Sequence, residues 1–373
     1  MDNQKNIVLI LGNGFDLDLG LRTSYKNFWE SKYCPKRYPA PLIRHLNSKW
    51  RDSIEAVKWY DMENELLNYY KETLKPDFKD LVTPKQQEFL LLWKQRNTSH
   101  INDYTEYVEE IKALRDNGLL ELDPSWGLYM TCEFHEELIL DTVTRDRKAL
   151  GLIKQGLCSY LSELMKGEHK TNVSAISILR TVEEAHKKGD KVSIYTFNYT
   201  NLPYLDSELK NKSVYYVHGS CTDNNIIIGT KDEEMPSKDY TFLQKAFDKN
   251  FNPPPIVSEL RNATDVIIFG HSLGDNDSQY LKDFFVQQAS PSHQPKKITI
   301  FTYDDVSEED IKFSLQKLTG TRLSALYAQN DVTIIKTALV LENPTPLRNL
   351  IYTYLENINE TKALMPSKDI TNE

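Results

Sequence analysis

Two textures divide the chain. Short β-branched apolar runs recur at Asn6–Leu11 (NIVLIL), Lys191–Phe197, Ser213–Val217, Asn225–Ile228, Thr264–Phe269, Lys297–Thr302 and Val332–Lys336. Uninterrupted apolar runs of this length predict parallel strands covered on both faces. Amphipathic stretches such as Asp277–Gln288 and Ser307–Leu318 lie between several of them, and strand–helix alternation predicts an open doubly wound sheet. From about residue 24 to 190 the pattern changes. Apolar residues there fall three and four apart, as in Met62, Leu66, Leu67, Tyr70 and Leu74, in Phe89, Leu92 and Trp93, and in Phe134, Leu138, Ile139, Thr142 and Val143. That spacing predicts helices, and the five tryptophans, all at or before Trp126, supply aromatics for a separate core.

The expected fold is therefore α/β: a doubly wound, mostly parallel, Rossmann-like sheet with a large helical insertion after its first strand. Residues 1–23 and 191–340 would form the α/β core, 24–190 the insertion, and 341–373 a C-terminal helix and polar tail. An insertion of about 150 residues is far longer than an ordinary crossover.

Composition narrows the function. A chain of 373 residues suits one large elaborated domain or two. Forty-five basic against 54 acidic side chains leave a net charge of −9, which disfavours nucleic acid and anionic membrane as partners. No apolar run approaches the ~20 residues of a membrane span, and the polar MDNQKN start lacks a secretory pattern. Four cysteines without a C-x-x-C pair argue against a zinc ribbon or a disulfide framework. The expectation is a cytoplasmic protein without a metal.

Ligands of open parallel sheets sit beyond the carboxyl ends of the strands, so the residues there are the candidates. Four clusters stand out. Gly12, Asn13, Gly14, Phe15 and Asp16 end the first strand, with Gly20 further on; this is a turn that lets backbone approach a ligand, though not the G-x-G-x-x-G spacing. Asp16 suits ribose hydroxyls, a helix cap or a loop anchor. Thr196, Phe197, Asn198, Tyr199 and Thr200 follow the second run, where Asn198 could fix a hydroxyl or a water or simply cap a helix. His218-Gly219 follows the third, placing an imidazole that titrates near neutrality beside bare backbone. Gly270, His271, Ser272, Leu273, Gly274 and Asp275 to Asp277 follow a later one. Gly270-x-Ser272-x-Gly274 matches the nucleophile elbow of α/β-hydrolases, yet the only later histidine, His293, precedes the next strand, so the triad order fails.

Taken together these clusters resemble the AbiH family of phage abortive-infection proteins. The resemblance runs through Gly12 to Asp16, Gly20-Leu21-x-Thr23-Ser24-Tyr25-x-x-Phe28, Trp59-x-Asp61-x-Glu63, Phe197 to Thr200, His218-Gly219, Ile228-Gly229 and Gly270 to Asp277. AbiH-like proteins are in turn distantly similar to sirtuins, whose glycine register Gly12, Gly14 and Gly20 keep, and whose motifs Asn198, His218-Gly219, Gly270, Ser272 and Leu273 match. Asp16 stands where sirtuins carry serine, and no four-cysteine module follows His218, so protein deacylation is not expected. The resemblance implies an NAD pocket. In it Gly12 to Phe15 would cradle the pyrophosphate, with Asp16, Gly20 and Thr196 in the same pocket. Asn198 would position water or a hydroxyl, and His218 would act as base on the ribose. Ser272 and Leu273 would meet the adenosine half, and Asp277 would fix the loop. NAD would be cleaved to nicotinamide and ADP-ribose, in answer to a phage-encoded trigger. A non-catalytic nucleotide sensor and a serine hydrolase using Ser272 are the alternatives. Glu63 and Asp61 could close over the site from the insertion, and aromatic helices there suit a homo-oligomeric contact.

Overall fold

The computed structural model describes residues 4–55, 61–73, 120–123, 127–130, 136–168, 173–203, 207–232 and 238–338, with the single positions 170 and 205. Six strands form one sheet: β1 (Asn6–Leu11), β4 (Lys191–Thr196), β5 (Val214–Tyr216), β6 (Asp265–Phe269), β7 (Lys297–Thr302) and β8 (Asp331–Lys336). Their order is β5-β4-β1-β6-β7-β8, and every pair is parallel. The sheet is thus wholly rather than mostly parallel, and its order is that of the doubly wound dinucleotide-binding fold. β2 (Leu120–Asp123) and β3 (Gly127–Met130) form an antiparallel hairpin inside the insertion, which the helical spacing did not foretell.

The apolar runs form strands because both faces are covered. Ile7, Leu9 and Leu11 of β1 pack under a helix at Ser174–Lys187, while Val8 and Ile10 face helices at Ile256–Asn262 and Ser278–Gln288. Successive side chains of a strand point to opposite faces, so one run feeds two cores. Asn225–Ile228 does not join the sheet. Its backbone turns back on the preceding loop, with Ile227 N donating to His218 O at 2.8 Å, and Ile226 and Ile228 pack into the insertion's core instead.

Helix α1 (Asn13–Asp18) follows β1, and within the insertion α2 (Tyr25–Glu30), α3 (Pro41–Glu55), α4 (Met62–Thr73) and α5 (Glu136–Leu164) lead on toward β4. Phe28, Trp29, Leu42, Leu46, Leu66 and Ile153 form its core, which continues without a break into Cys221, Ile228 and Leu243 beside the sheet. The segments around Trp59, Phe89 to Trp93 and residues 341–373 lie outside the described residues.

Candidate active site at the strand switch point

β4 and β6 leave β1 in opposite directions, so the chain switches its direction of growth between β1 and β6. A crevice beyond the strand ends is expected there, and a cavity of about 420 Å³ occupies it. The strand ends contribute Gly12, Asn13, Gly14, Asp16, Asn198, His218, Gly270, Ser272 and Asp277, and the insertion contributes Tyr25, Asp61 and Glu63. Phe15, Gly20, Thr196 and Leu273, also candidates from the sequence, do not line it. Phe15 lies edge-on against Phe269 in the core, Thr196 Oγ1 accepts from Asn198 N at 3.1 Å, and Gly20 turns against Lys170.

The glycine turn joins two strand ends. Gly12 N donates to Phe269 O at 3.0 Å and Gly14 N to Gly270 O at 2.8 Å. A Cβ on Gly14 would sit 2.6 Å from Gly270 Cα, and Gly270 itself holds φ at +61°, so both must be glycine. Phe15 N turns inward to Gly12 O. The amides that a pyrophosphate cradle would use at Gly12, Gly14 and Phe15 are thus engaged by the protein itself.

Beneath the turn lies Asp16, 2% exposed. It accepts from Asn198 Nδ2 at 3.1 Å and from Thr200 Oγ1 at 2.7 Å, with no cation within ion-pair range among the described residues. Burial pushes its carboxyl from 3.8 up to about 7, against the pull of those hydrogen bonds. Asn198 donates its second amide proton to Gly12 O at 3.0 Å, so its NH₂ is spent as a clasp between β1 and β4 and only Oδ1 remains for a ligand.

The centre of charge is a residue that the motifs did not single out. Lys245 has no exposed surface, and its Nζ reaches Glu63 Oε2 at 3.0 Å, Asp277 Oδ1 at 3.1 Å and His218 Nε2 at 3.3 Å. Three elements converge on it. Asp61 caps α4 by accepting from Asn64 N at 3.1 Å, placing Glu63 in the first turn. Gly229 lets the backbone of Leu243 to Lys245 lie against it, since a Cβ there would meet Leu243 O at 2.5 Å. The loop after β6 supplies Asp277, whose Oδ2 is 3.5 Å from His271 Nε2. His271 Nδ1 accepts from Leu273 N at 3.0 Å, so its proton is on Nε2, facing that carboxylate. Leu273 takes φ of +54° to close this loop.

The two carboxyls beside the shared cation end at different pKa values, although it lowers both. Burial raises Glu63 from 4.5 to about 7, with Lys245 pulling the other way and Asp277 and Asp61 adding to the rise. Burial would raise Asp277 as well, but Lys245, then His218 and His271, hold it ionised well below the usual carboxylate range. Lys245 is destabilised by burial yet kept firmly protonated by Asp277 and Glu63. His218 is lowered to about 3, first by burial and then by Lys245. Tyr25 Oη lies 3.4 Å from both Glu63 Oε1 and Tyr199 Oη, and burial raises both phenols well above their usual value. Ser272 is exposed and bonds to no imidazole among the described residues; Asp275 faces solvent.

The family model described as bacteriophage abortive infection AbiH matches residues 8–300, well over half of the chain. The chain belongs to the AbiH family. In this AbiH protein the match takes in all the residues of the Lys245 cluster, while the cavity wall from Phe301 to Ile311 lies beyond it. No curated protein matches the chain significantly. A solved structure described as the structural basis for the mechanism and regulation of Sir2 enzymes is 11% identical, covers 97% of this chain and 94% of its own, and has a TM-score of 0.32. An overlap that loose transfers no residue role or reaction to the AbiH protein. Among the described residues no helix is long and apolar enough to cross a membrane, and no group of three or more His, Cys, Asp or Glu side chains is placed to hold a metal ion.

Tyr25, Tyr199 and His271 lie inside the sequence motifs without being candidates on their own. Lys245 lay in none. It is one basic residue in a Gln-Lys-Ala-Phe stretch, and only the fold brings it under Glu63.

Proposed function

We propose that this AbiH protein cleaves the N-glycosidic bond of a nucleotide, with NAD the substrate, and that loss of NAD is its contribution to abortive infection. The observation that carries the reading is the carboxyl pair Glu63 and Asp277 opening onto a cavity that no lysine or arginine lines among its described residues. Breaking a ribosyl–nitrogen bond builds positive charge on the sugar, which carboxylates stabilise and cations oppose. Asp277, held ionised, would face that charge. Glu63, near 7, matches the demand on a base that works at neutral pH.

The step balances without a cofactor. The C1′–N bond breaks, and its electron pair neutralises the pyridinium nitrogen of departing nicotinamide. Water adds its oxygen to C1′ and gives a proton to Glu63, which passes it to solvent. Asn198 Oδ1, its amide protons already spent, can accept from a ribose hydroxyl or the water.

The test is incubation of purified protein with NAD, chromatographed for nicotinamide and ADP-ribose. Glu63→Gln and Asp277→Asn should each lower turnover by roughly 10²-fold or more, while Ser272→Ala should keep it. Loss on Ser272→Ala alone would instead support the hydrolase alternative. ADP-ribose or NAD binding without any turnover would favour the nucleotide sensor.

A further inference from the structure

The distances around Lys245 fix more than an ion pair. An ammonium has three protons and accepts none. Lys245 has no exposed surface, and three acceptors stand within 3.0 to 3.3 Å of its Nζ: Glu63 Oε2, Asp277 Oδ1 and His218 Nε2. If His218 carried its proton on Nε2, that N–H would point at the ammonium 3.3 Å away, and one ammonium proton would be buried without an acceptor. Asp277 Oδ1 also lies 3.3 Å from the same nitrogen and keeps a lone pair that could accept from it, but that arrangement would still leave the third ammonium proton unmet and turn an N–H toward a cation. The imidazole must therefore present its Nε2 lone pair to Lys245 and keep its proton on Nδ1.

That nitrogen bonds to no described residue, although the side chain is 5% exposed and its ring forms part of the cavity wall. Phe197 meets the ring edge-on at 5.3 Å between centroids and Tyr280 lies at 5.9 Å, holding its plane. The charged and titratable groups around it are Lys245, Asp277, His271 and Tyr280, with Glu63 beyond Lys245.

We infer that Lys245 is a positioning residue that locks His218 as the neutral Nδ1–H tautomer, so that His218 offers the ligand a hydrogen-bond donor instead of a base. The inference rests on the proposed glycosidic site for the identity of the ligand, but the tautomer does not. In the NAD reading, the donor would meet a ribose hydroxyl oxygen or the departing carboxamide. Its lone pair, turned away into Lys245, could take no proton from either.

The first arm of the test needs no ligand. Long-range ¹H–¹⁵N spectra separate the two imidazole tautomers, and comparison with His218→Asn assigns this ring among the eight histidines. The expected result is a pyrrole-type nitrogen at Nδ1 and no titration between pH 5 and 8. In Lys245→Met, removal of the cation beside Asp277 should let His218 titrate. An Nε2–H signal, or titration of the wild-type ring in that range, overturns the inference, and the wild type alone decides this if the Lys245 variant does not fold.

The second arm reads the ligand. His218→Ala should weaken ADP-ribose binding about tenfold, the size of one lost hydrogen bond. His218→Asn, whose amide nitrogen falls near Nδ1, should restore most of it, and His218→Gln, whose amide falls near Nε2, should not. Rescue by Gln and not by Asn overturns the donor role. Failure of the wild type to bind ADP-ribose, with the tautomer as expected, overturns the glycosidic reading and leaves the Lys245 lock standing.

Discussion

Replacing Asp16 by Asn tests the electrostatics of the glycine turn, because this carboxyl is buried with no cation beside it among the described residues. Its pKa rises from 3.8 to about 7, chiefly through burial. A raised pKa means the folded state holds the proton more tightly than the unfolded chain does. The stability tied to it is therefore complete below about pH 4 and is lost as pH climbs to about 7. Each pH decade in that window is worth about 1.4 kcal/mol, so ionised Asp16 costs the folded state about 4 kcal/mol. Asparagine fits the same contacts. Its Oδ1 can accept from Asn198 Nδ2, and its Nδ2 can donate to Thr200 Oγ1, a hydroxyl that serves as either partner. The expected outcome is an Asp16→Asn variant close to wild type at pH 4 and more stable at pH 8 by about 4 kcal/mol, the hydrogen bonds to the carboxylate being already included in its pKa. Denaturant unfolding of both proteins between pH 4 and 8 measures this, and the difference between them isolates Asp16 from Glu63, which titrates in both. A difference that stays flat with pH, or a variant that falls behind wild type as pH rises, would refute the reasoning. It would mean that Asn198 and Thr200 hold the carboxylate ionised at its ordinary pKa.

Two further outcomes follow from the same geometry. If Glu63 is the base, kcat/KM for NAD should rise with pH and level off near 7, because below that value Glu63 already carries a proton; Glu63→Gln should remove this limb from the pH–rate profile. Gly14→Ala should cost roughly 3 kcal/mol or more in a melting experiment, since the new methyl would meet backbone at Gly270 rather than a side chain that could move.

The sheet was legible because its strands announce themselves one at a time. Asn6–Leu11 and Lys297–Thr302 match their apolar runs residue for residue, and Lys191–Thr196 and Asp265–Phe269 do so within one residue. Asn225–Ile228 has the same composition but no partner strand, and composition alone cannot tell burial under helices from burial in a sheet. The strand ends that wall the cavity were legible for a topological reason: in a parallel sheet the loops after successive strands meet at one edge. What those loops do was not. Gly12 and Gly14 read as a phosphate cradle, whereas packing against Gly270 takes up their amides, a pairing between loops about 250 residues apart in sequence. His218 reads as a base from its type, whereas the tautomer inferred from Lys245 would make its other nitrogen a donor.

The Lys245 cluster is a poor device for stability. Burying an ammonium, two carboxyls and an imidazole costs several kcal/mol per ion before their mutual attraction returns any of it, and apolar side chains of the same volume would serve the fold as well or better. Its four members come from α4, the loop after β5, the stretch after Gly229 and the loop after β6, so only the docking of the insertion on the sheet assembles it. A group placed for stability alone would be expected inside the hydrophobic core of one unit. This one lies at the seam, on the floor of the cavity, with Glu63 poised near neutrality and Asp277 held ionised a single cation away. Two carboxyls lowered by the same cation, of which burial keeps one near neutrality while the other stays ionised, have the separated pKa values of an acid–base pair. In the proposed reaction the insertion, which supplies Glu63, would take part in the chemistry itself.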